Sequence, residues 1–144
     1  KIAKIYNDKN FSELKSMIRK ATRINVLISV PILLILFSLS DFLLSMFGSN
    51  YILAKNAFLI LLIFQLFNSI SGPSALYLNM TGRQKTLNVI LLGSLLINII
   101  LNLTLIPKFG MAGAALATTI SLIASKLTAS AVVLYLDNVK TYIY

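Results

Sequence analysis

The chain contains no cysteine, no histidine and no tryptophan, and its 144 residues include only four acids. Without cysteine there is no disulfide, no thiolate nucleophile and no sulfur-ligated metal, and the redox compartment leaves no mark. Without histidine, the commonest metal ligand and the one side chain that titrates near neutrality are also missing. The acids are Asp8, Glu13, Asp41 and Asp137. Their wide separation offers no close carboxylate pair and no cluster of oxygen ligands. Hydroxyls therefore have no conventional activating base. An enzyme is a poor fit, and no metal or other cofactor is expected. Charge of either sign is scarce, at 12% of residues against about 25% in soluble domains. There is no soluble domain, linker, low-complexity segment or signal peptide to find. The chain opens on Lys1, which reads as a piece of a longer protein.

What is abundant is apolar side chain: 58% of residues are hydrophobic and the mean hydropathy is +0.87. That composition describes a membrane protein. A formal net charge of +9 ordinarily raises nucleic acid as a partner, but seven of the thirteen basic residues precede Ile24, and a membrane surface accounts for them more simply. No nucleic-acid role is expected.

From Asn10 the pattern turns helical. Asn10 and Glu13 are spaced as a capping pair, and Phe11, Leu14, Ile18 and Ala21 form an apolar stripe among Lys15, Arg19, Lys20 and Arg23. Residues 1–23 thus read as a basic amphipathic helix at the cytoplasmic membrane surface, running into a first span over about residues 24–47. Pro31 is expected to kink that span, and Asp41 to sit in its outer third beside Lys55. Gly48 to Leu53 is a short loop with Tyr51 at the interface. A second span, about 54–80, breaks at Gly72-Pro73, with Gln65, Asn68, Ser69 and Ser71 facing the bundle or a cavity. A basic loop at Thr81 to Lys85 precedes a third span, 86–106, which carries Asn98 and Asn102 on one face. The fourth, 112–136, contains Lys126 and is followed by a polar, aromatic tail. Asn79-Met80-Thr81 and Asn102-Leu103-Thr104 match the glycosylation sequon but lie in or beside spans, so they are discounted. Counting Lys and Arg beside the spans places both ends and the middle loop in the cytoplasm.

The chain is organised around Leu101 to Ser121. An apolar run ends at Ile106, Pro107-Lys108-Phe109-Gly110 breaks it, and a run opening with small residues follows. Gly113, Ala117, Ser121, Ser125 and Ala129 recur every fourth position, one small residue per turn on a single face. Such a face lets another backbone approach closely, as helices packed in lipid require. A helical hairpin is expected. Lys126 lies deep in a span whose nine Leu, Ile and Val residues return about 0.3 to 0.6 kcal/mol each, which roughly offsets the 2.5 to 3.5 kcal/mol of one buried lysine. It is either a snorkelling residue or a cation facing a hydrated cavity.

LNLTLIP at 101–107, followed by a turn and GMAGAALAT at 110–118, resembles the late transmembrane segments of the polysaccharide flippases. These are the O-antigen and teichoic-acid exporters of the superfamily that also holds the multidrug and toxin extruders. Pro31, Met46-Phe47-Gly48 with Tyr51, and Thr81-Gly82-Arg83-Gln84-Lys85 agree with it, and the likeness covers nearly the whole chain. It implies part of a bacterial inner-membrane flippase that moves undecaprenyl-diphosphate-linked oligosaccharide by alternating access, for O-antigen, lipopolysaccharide or other surface polysaccharide assembly. The partners it implies are membrane lipid, a lipid-linked oligosaccharide, and the remaining N-terminal transmembrane helices of the same protein.

The expected fold is all-α: four transmembrane helices in an up-down bundle behind the basic helix. Lys126, Gln65, Asn68, Asn98 and Asn102 are the substrate-cleft candidates, and Arg23, Arg83 and Lys85 the candidates at the cytoplasmic mouth. Pro31, Gly72, Pro73 and Pro107 are the hinge or kink candidates, with Gly113, Ala117, Ser121 and Ser125 as the packing face. For the four amides the plainer reading is interhelical hydrogen bonding, and for Arg83 and Lys85 it is topology alone. A multidrug extruder, which needs cation-coupling carboxylates inside its spans, and a non-transporting scaffold are the rival readings.

Overall fold

The computed structural model describes residues 11–48, 51 and 54–137. The start of the chain with Asn10 of the capping pair, most of the loop after Gly48, and the tail with Lys140 fall outside the described residues. Every element among the described residues is an α-helix.

Helix α1 spans Phe11–Ser38 in one piece. There is no separation between the basic segment and the apolar one that follows it, so the expected boundary at residue 23 is not a structural boundary. The reason lies in its stripe: Leu14, Ile18 and Thr22 succeed one another every fourth residue and all are buried. Ala21, expected on that stripe, is exposed, and Thr22 takes the place, its hydroxyl donating to the Ile18 carbonyl at 2.9 Å. Pro31 lies inside α1 and the helix carries on past it. The interruption comes instead at Leu39 (φ −97°, ψ 10°), before the short α2, Ser40–Met46. Hydrogen bonds of 2.9 Å from Leu39 N–H to the Ile35 carbonyl and from Leu43 N–H to the Leu39 carbonyl join the two pieces.

Helix α3, Lys55–Ser71, and α4, Ser74–Met80, meet at 51°. Gly72 makes the corner with φ 70° and ψ −175°, a conformation essentially reserved for glycine, and Pro73 removes the next donor. The break expected at Gly72-Pro73 is therefore present.

Helix α5, Gln84–Asp137, has one non-helical residue inside it, Gly110 at φ 55° and ψ −130°. The break expected across Pro107 to Gly110 is confined to that glycine, with Pro107 still helical. Its two arms, 84–109 and 111–137, fold back on each other. Ser94 Oγ donates to the Ser121 carbonyl at 2.8 Å and Asn98 Nδ2 to Ser121 Oγ at 3.1 Å, residue pairs on opposite sides of the corner. Gly113 lies so close to the first arm that an added Cβ would stand 2.2 Å from the Leu105 carbonyl oxygen. Along the second arm Gly113, Ala117, Ser121 and Ala129 are all buried, and Ser125 is half-buried.

The core joins three regions: Leu14 and Ile18 of α1, Tyr77 and Leu78 of α4, and Ala129 and Val133 of α5. Much of the outer surface is more apolar than this interior. Leu27 is 77% exposed and Leu103 73%, whereas Ser69, Ser74 and Ser121 are buried. Large aliphatics outside and small or hydroxylated residues at the helix contacts are what a lipid surround selects. Glu13–Ser38 and Gln84–Asp137 are long and apolar enough to cross a membrane, and the bent α3–α4 pair makes a third if taken as one span.

Candidate functional site

Lys126 is a cation that the helices carry into a pocket. Its Nζ donates to Asn68 Oδ1 at 2.8 Å, joining the second arm of α5 to α3 over a sequence separation of 58. Asn68 in turn donates through Nδ2 to Gln65 Oε1 at 3.4 Å, a long bond at the edge of the useful range. Three of the five cleft candidates are thereby brought together in one line. Lys126 and Asn68, but not Gln65, border an open pocket of ≈290 Å³ whose other lining residues are Ala21, Thr22, Asn25, Gly72 and Pro73.

Each wall has a local origin. The α3–α4 corner ends α3 near Asn68 and leaves its last carbonyls without successors in the helix. Ser69 Oγ donates to the Gln65 carbonyl at 3.0 Å and Ser71 Oγ to the Phe67 carbonyl at 2.8 Å. The carboxyl end of a helix favours a nearby cation, which suits an ammonium held by a neutral amide. No carboxylate pairs with Lys126 among the described residues. Its charge is therefore held by hydrogen bonding rather than neutralised.

The level of the pocket can be read from α1. Its exposed side carries Lys15, Arg19, Lys20 and Arg23, and then changes within one turn to Ile24 (58% exposed) and Leu27 (77%). Such a change marks where polar headgroups give way to hydrocarbon. Ala21, Thr22 and Asn25 line the pocket at that level, so Lys126 stands level with the change from cationic to apolar side chains on α1.

Asn98 and Asn102 are elsewhere. Asn102 Nδ2 donates to the Asn98 carbonyl at 3.0 Å and to Asn98 Oδ1 at 2.9 Å, while Asn98 reaches Ser121. Asn98 ties the two arms of the α5 hairpin, Asn102 braces Asn98 from the same arm, and neither lines the Lys126 pocket.

Arg83 stands at the foot of α5. Its guanidinium forms a two-pronged pair with Asp137, Nη1 to Oδ2 and Nη2 to Oδ1, the latter at 2.9 Å. Tyr77 donates its hydroxyl to the same Oδ2 at 3.0 Å. Asp137, read from sequence as the start of a polar tail, ends α5 with its side chain only 6% exposed. Arg83 thus closes the base of the hairpin. Lys85 and Arg23 remain exposed. At the other end Lys55 Nζ meets Asp41 Oδ2 at 2.7 Å, the expected pair, with both side chains exposed. Tyr51 is exposed and packs its ring at a 51° tilt, 6.0 Å from that of Phe47.

Sequence reasoning missed Thr22 and Asn25 as pocket walls. Both carried a signal: Thr22 continues the Leu14–Ile18 spacing, and Asn25 is an amide just inside an apolar run.

The MatE family matches residues 2–104, well over half of the chain. The chain belongs to the MatE family. This family is part of the multidrug/oligosaccharidyl-lipid/polysaccharide exporter superfamily, so the chain is a multi-pass membrane protein of an exporter family. No curated protein and no solved structure matches it. The matched MatE residues include α1, the α3–α4 corner and Asn68, and stop before Gly110 and Lys126.

Proposed function

We propose that this MatE chain is part of a flippase that exports an undecaprenyl-diphosphate-linked oligosaccharide across the bacterial inner membrane for surface polysaccharide assembly. The observation that carries the reading is Lys126: an ammonium that no carboxylate pairs among the described residues, held by Asn68 in a pocket at the level where α1 turns from cationic to apolar. A prenyl diphosphate offers anionic charge at that depth and an apolar chain on its lipid side. Lys126 and Asn68 bind the diphosphate, with Gln65, Thr22 and Asn25 around it. The step is translocation with no bond made or broken, so no catalytic group is required.

In this reading the chain crosses the membrane four times, at about 24–47, 54–80, 86–106 and 112–136, with Gly110 turning the last two. The cationic end of α1, Lys85 and the base of the α5 hairpin lie on the cytoplasmic side. The remaining helices of the same protein complete the cleft, and rocking of two lobes alternates its access. An extruder of cationic drugs would draw on acids within the spans. Of the acids in the described helices beyond α1, Asp41 is paired with Lys55 and Asp137 with Arg83.

The test is transport by the full-length protein in proteoliposomes, offered either a fluorescent prenyl-diphosphate oligosaccharide or a cationic dye under a cation gradient. Movement of the first alone supports the flippase. Movement of the dye alone replaces it with the extruder, and movement of neither under inserted, folded conditions favours the scaffold.

A further inference from the structure

The cationic face of α1 takes no part in the Lys126 pocket. Lys15, Arg19, Lys20 and Arg23 are all exposed and form no ion pair or hydrogen bond among the described residues. On a helix of 3.6 residues per turn, Lys15, Arg19 and Arg23 succeed one another along one side and Lys20 stands beside them. An adjoining side is filled: Leu14 and Ile18 are buried in the core with Tyr77 and Leu78 of α4 and Ala129 and Val133 of α5, and Thr22 is buried one turn further on. The cations are therefore fixed in place by a packed helix rather than carried on a loose arm. From Lys15 to Arg23 they rise about 12 Å along the helix axis, enough to span the headgroup layer of one leaflet, roughly 5 to 7.5 Å, and reach the water beyond it. Beyond Arg23 the same side continues as Leu27, with Ile24 and Ile28 next to it, all more than half exposed. A water-filled cleft or a nucleic acid would not call for aliphatic side chains one turn away. A leaflet does, because its headgroups and acyl chains follow each other over that distance.

We propose that this face is a docking surface for acidic phospholipid headgroups of the cytoplasmic leaflet, which hold α1 at a set depth through phosphate contacts to the four cations. The proposal takes its side of the membrane from the orientation given above, and not its cargo. Arginine contributes forked, phosphate-matched donors and lysine a compact charge on a long stem that reaches along the surface. Each basic residue held near an anionic leaflet strengthens association by roughly fivefold.

The test uses the full-length protein in nanodiscs containing phosphatidylcholine and phosphatidylglycerol, with the ratio of the two lipids retained on purification measured by mass spectrometry. Wild type is expected to enrich phosphatidylglycerol. Lys20→Gln or Arg23→Gln should each lower the enrichment about fivefold, and the four-fold Gln variant should abolish it. Lys108→Gln, near the opposite end of the fold, should leave it unchanged. A second measurement needs no variant: the enrichment by wild type should fall as salt is raised, because exposed charges are screened. Equal enrichment by wild type and the four-fold variant, or indifference to salt, overturns the proposal. So does inorganic phosphate with phosphatidylcholine alone matching the thermal stabilisation by phosphatidylglycerol, since that outcome assigns the face to free phosphate. Failure of cargo transport leaves these readouts untouched.

Discussion

Lys126 Nζ and Asn68 Oδ1 stand 2.8 Å apart, bridging α5 to the last turn of α3 just before the chain turns 51° at Gly72-Pro73. Lys126, Asn68 and the Gly72-Pro73 corner thus line one pocket. Replacing Asn68 by Asp keeps the shape but places a carboxylate on the ammonium. The expected result is normal insertion with transport reduced at least tenfold, because the charge is then neutralised from within. Asn68→Ala should cost less. Transport initial rates at matched membrane levels check the order.

The corner itself makes a separate prediction. Gly72 occupies φ 70° and ψ −175°, where a Cβ is strained by about 1 to 3 kcal/mol. Gly72→Ala should destabilise the protein by that amount and lower transport more than it lowers cargo binding. Thermal unfolding in detergent together with a binding isotherm separates the two effects.

Gly113→Ala should disrupt the α5 hairpin. The added methyl would lie 2.2 Å from the Leu105 carbonyl oxygen, which is backbone and cannot swing aside. Overpacking of this kind costs about 1 to 3 kcal/mol, and a shift of the arms would also strain the Asn98–Ser121 bond. Lower thermal stability, with unchanged insertion, is the expected result.

The two ion pairs should behave oppositely. Arg83–Asp137 is largely buried, so Arg83→Ala or Asp137→Ala alone should cost about 3 to 5 kcal/mol by leaving a charge without its partner. The double variant should recover part of that loss in a thermodynamic cycle. Asp41–Lys55 is exposed, and removing either side should change stability by less than about 1 kcal/mol, the more so in high salt.

The legible parts of this fold are those written in local chemistry. Gly72-Pro73 and Gly110 were readable as breaks because positive φ and a missing donor are properties of single residues. The Gly113 to Ala129 face was readable because helical spacing is local. A proline marks where a helix can yield; α1 stays helical past Pro31, and its interruption lies at Leu39, where no residue type announces it. Azimuth between distant helices is not written locally. Asn68 and Lys126 are 58 residues apart and Arg83 and Asp137 are 54 apart, so neither pairing could be read from periodicity. The Asn98–Ser121 contact was within reach. The two residues lie 12 before and 11 after Gly110, so a hairpin folded at that glycine brings them level.

The central claim rests on the positive charge at Lys126, and it is tested most directly by complementation in a flippase-deficient strain matched for cargo. Full-length wild type, Lys126→Arg and Lys126→Ala are compared at equal membrane abundance, with surface polysaccharide as the readout. Wild type should restore the polymer, Lys126→Arg should restore it in part, and Lys126→Ala should fail. Full restoration by Lys126→Ala would contradict the account, leaving Lys126 as a lysine that reaches for the membrane surface and binds no cargo.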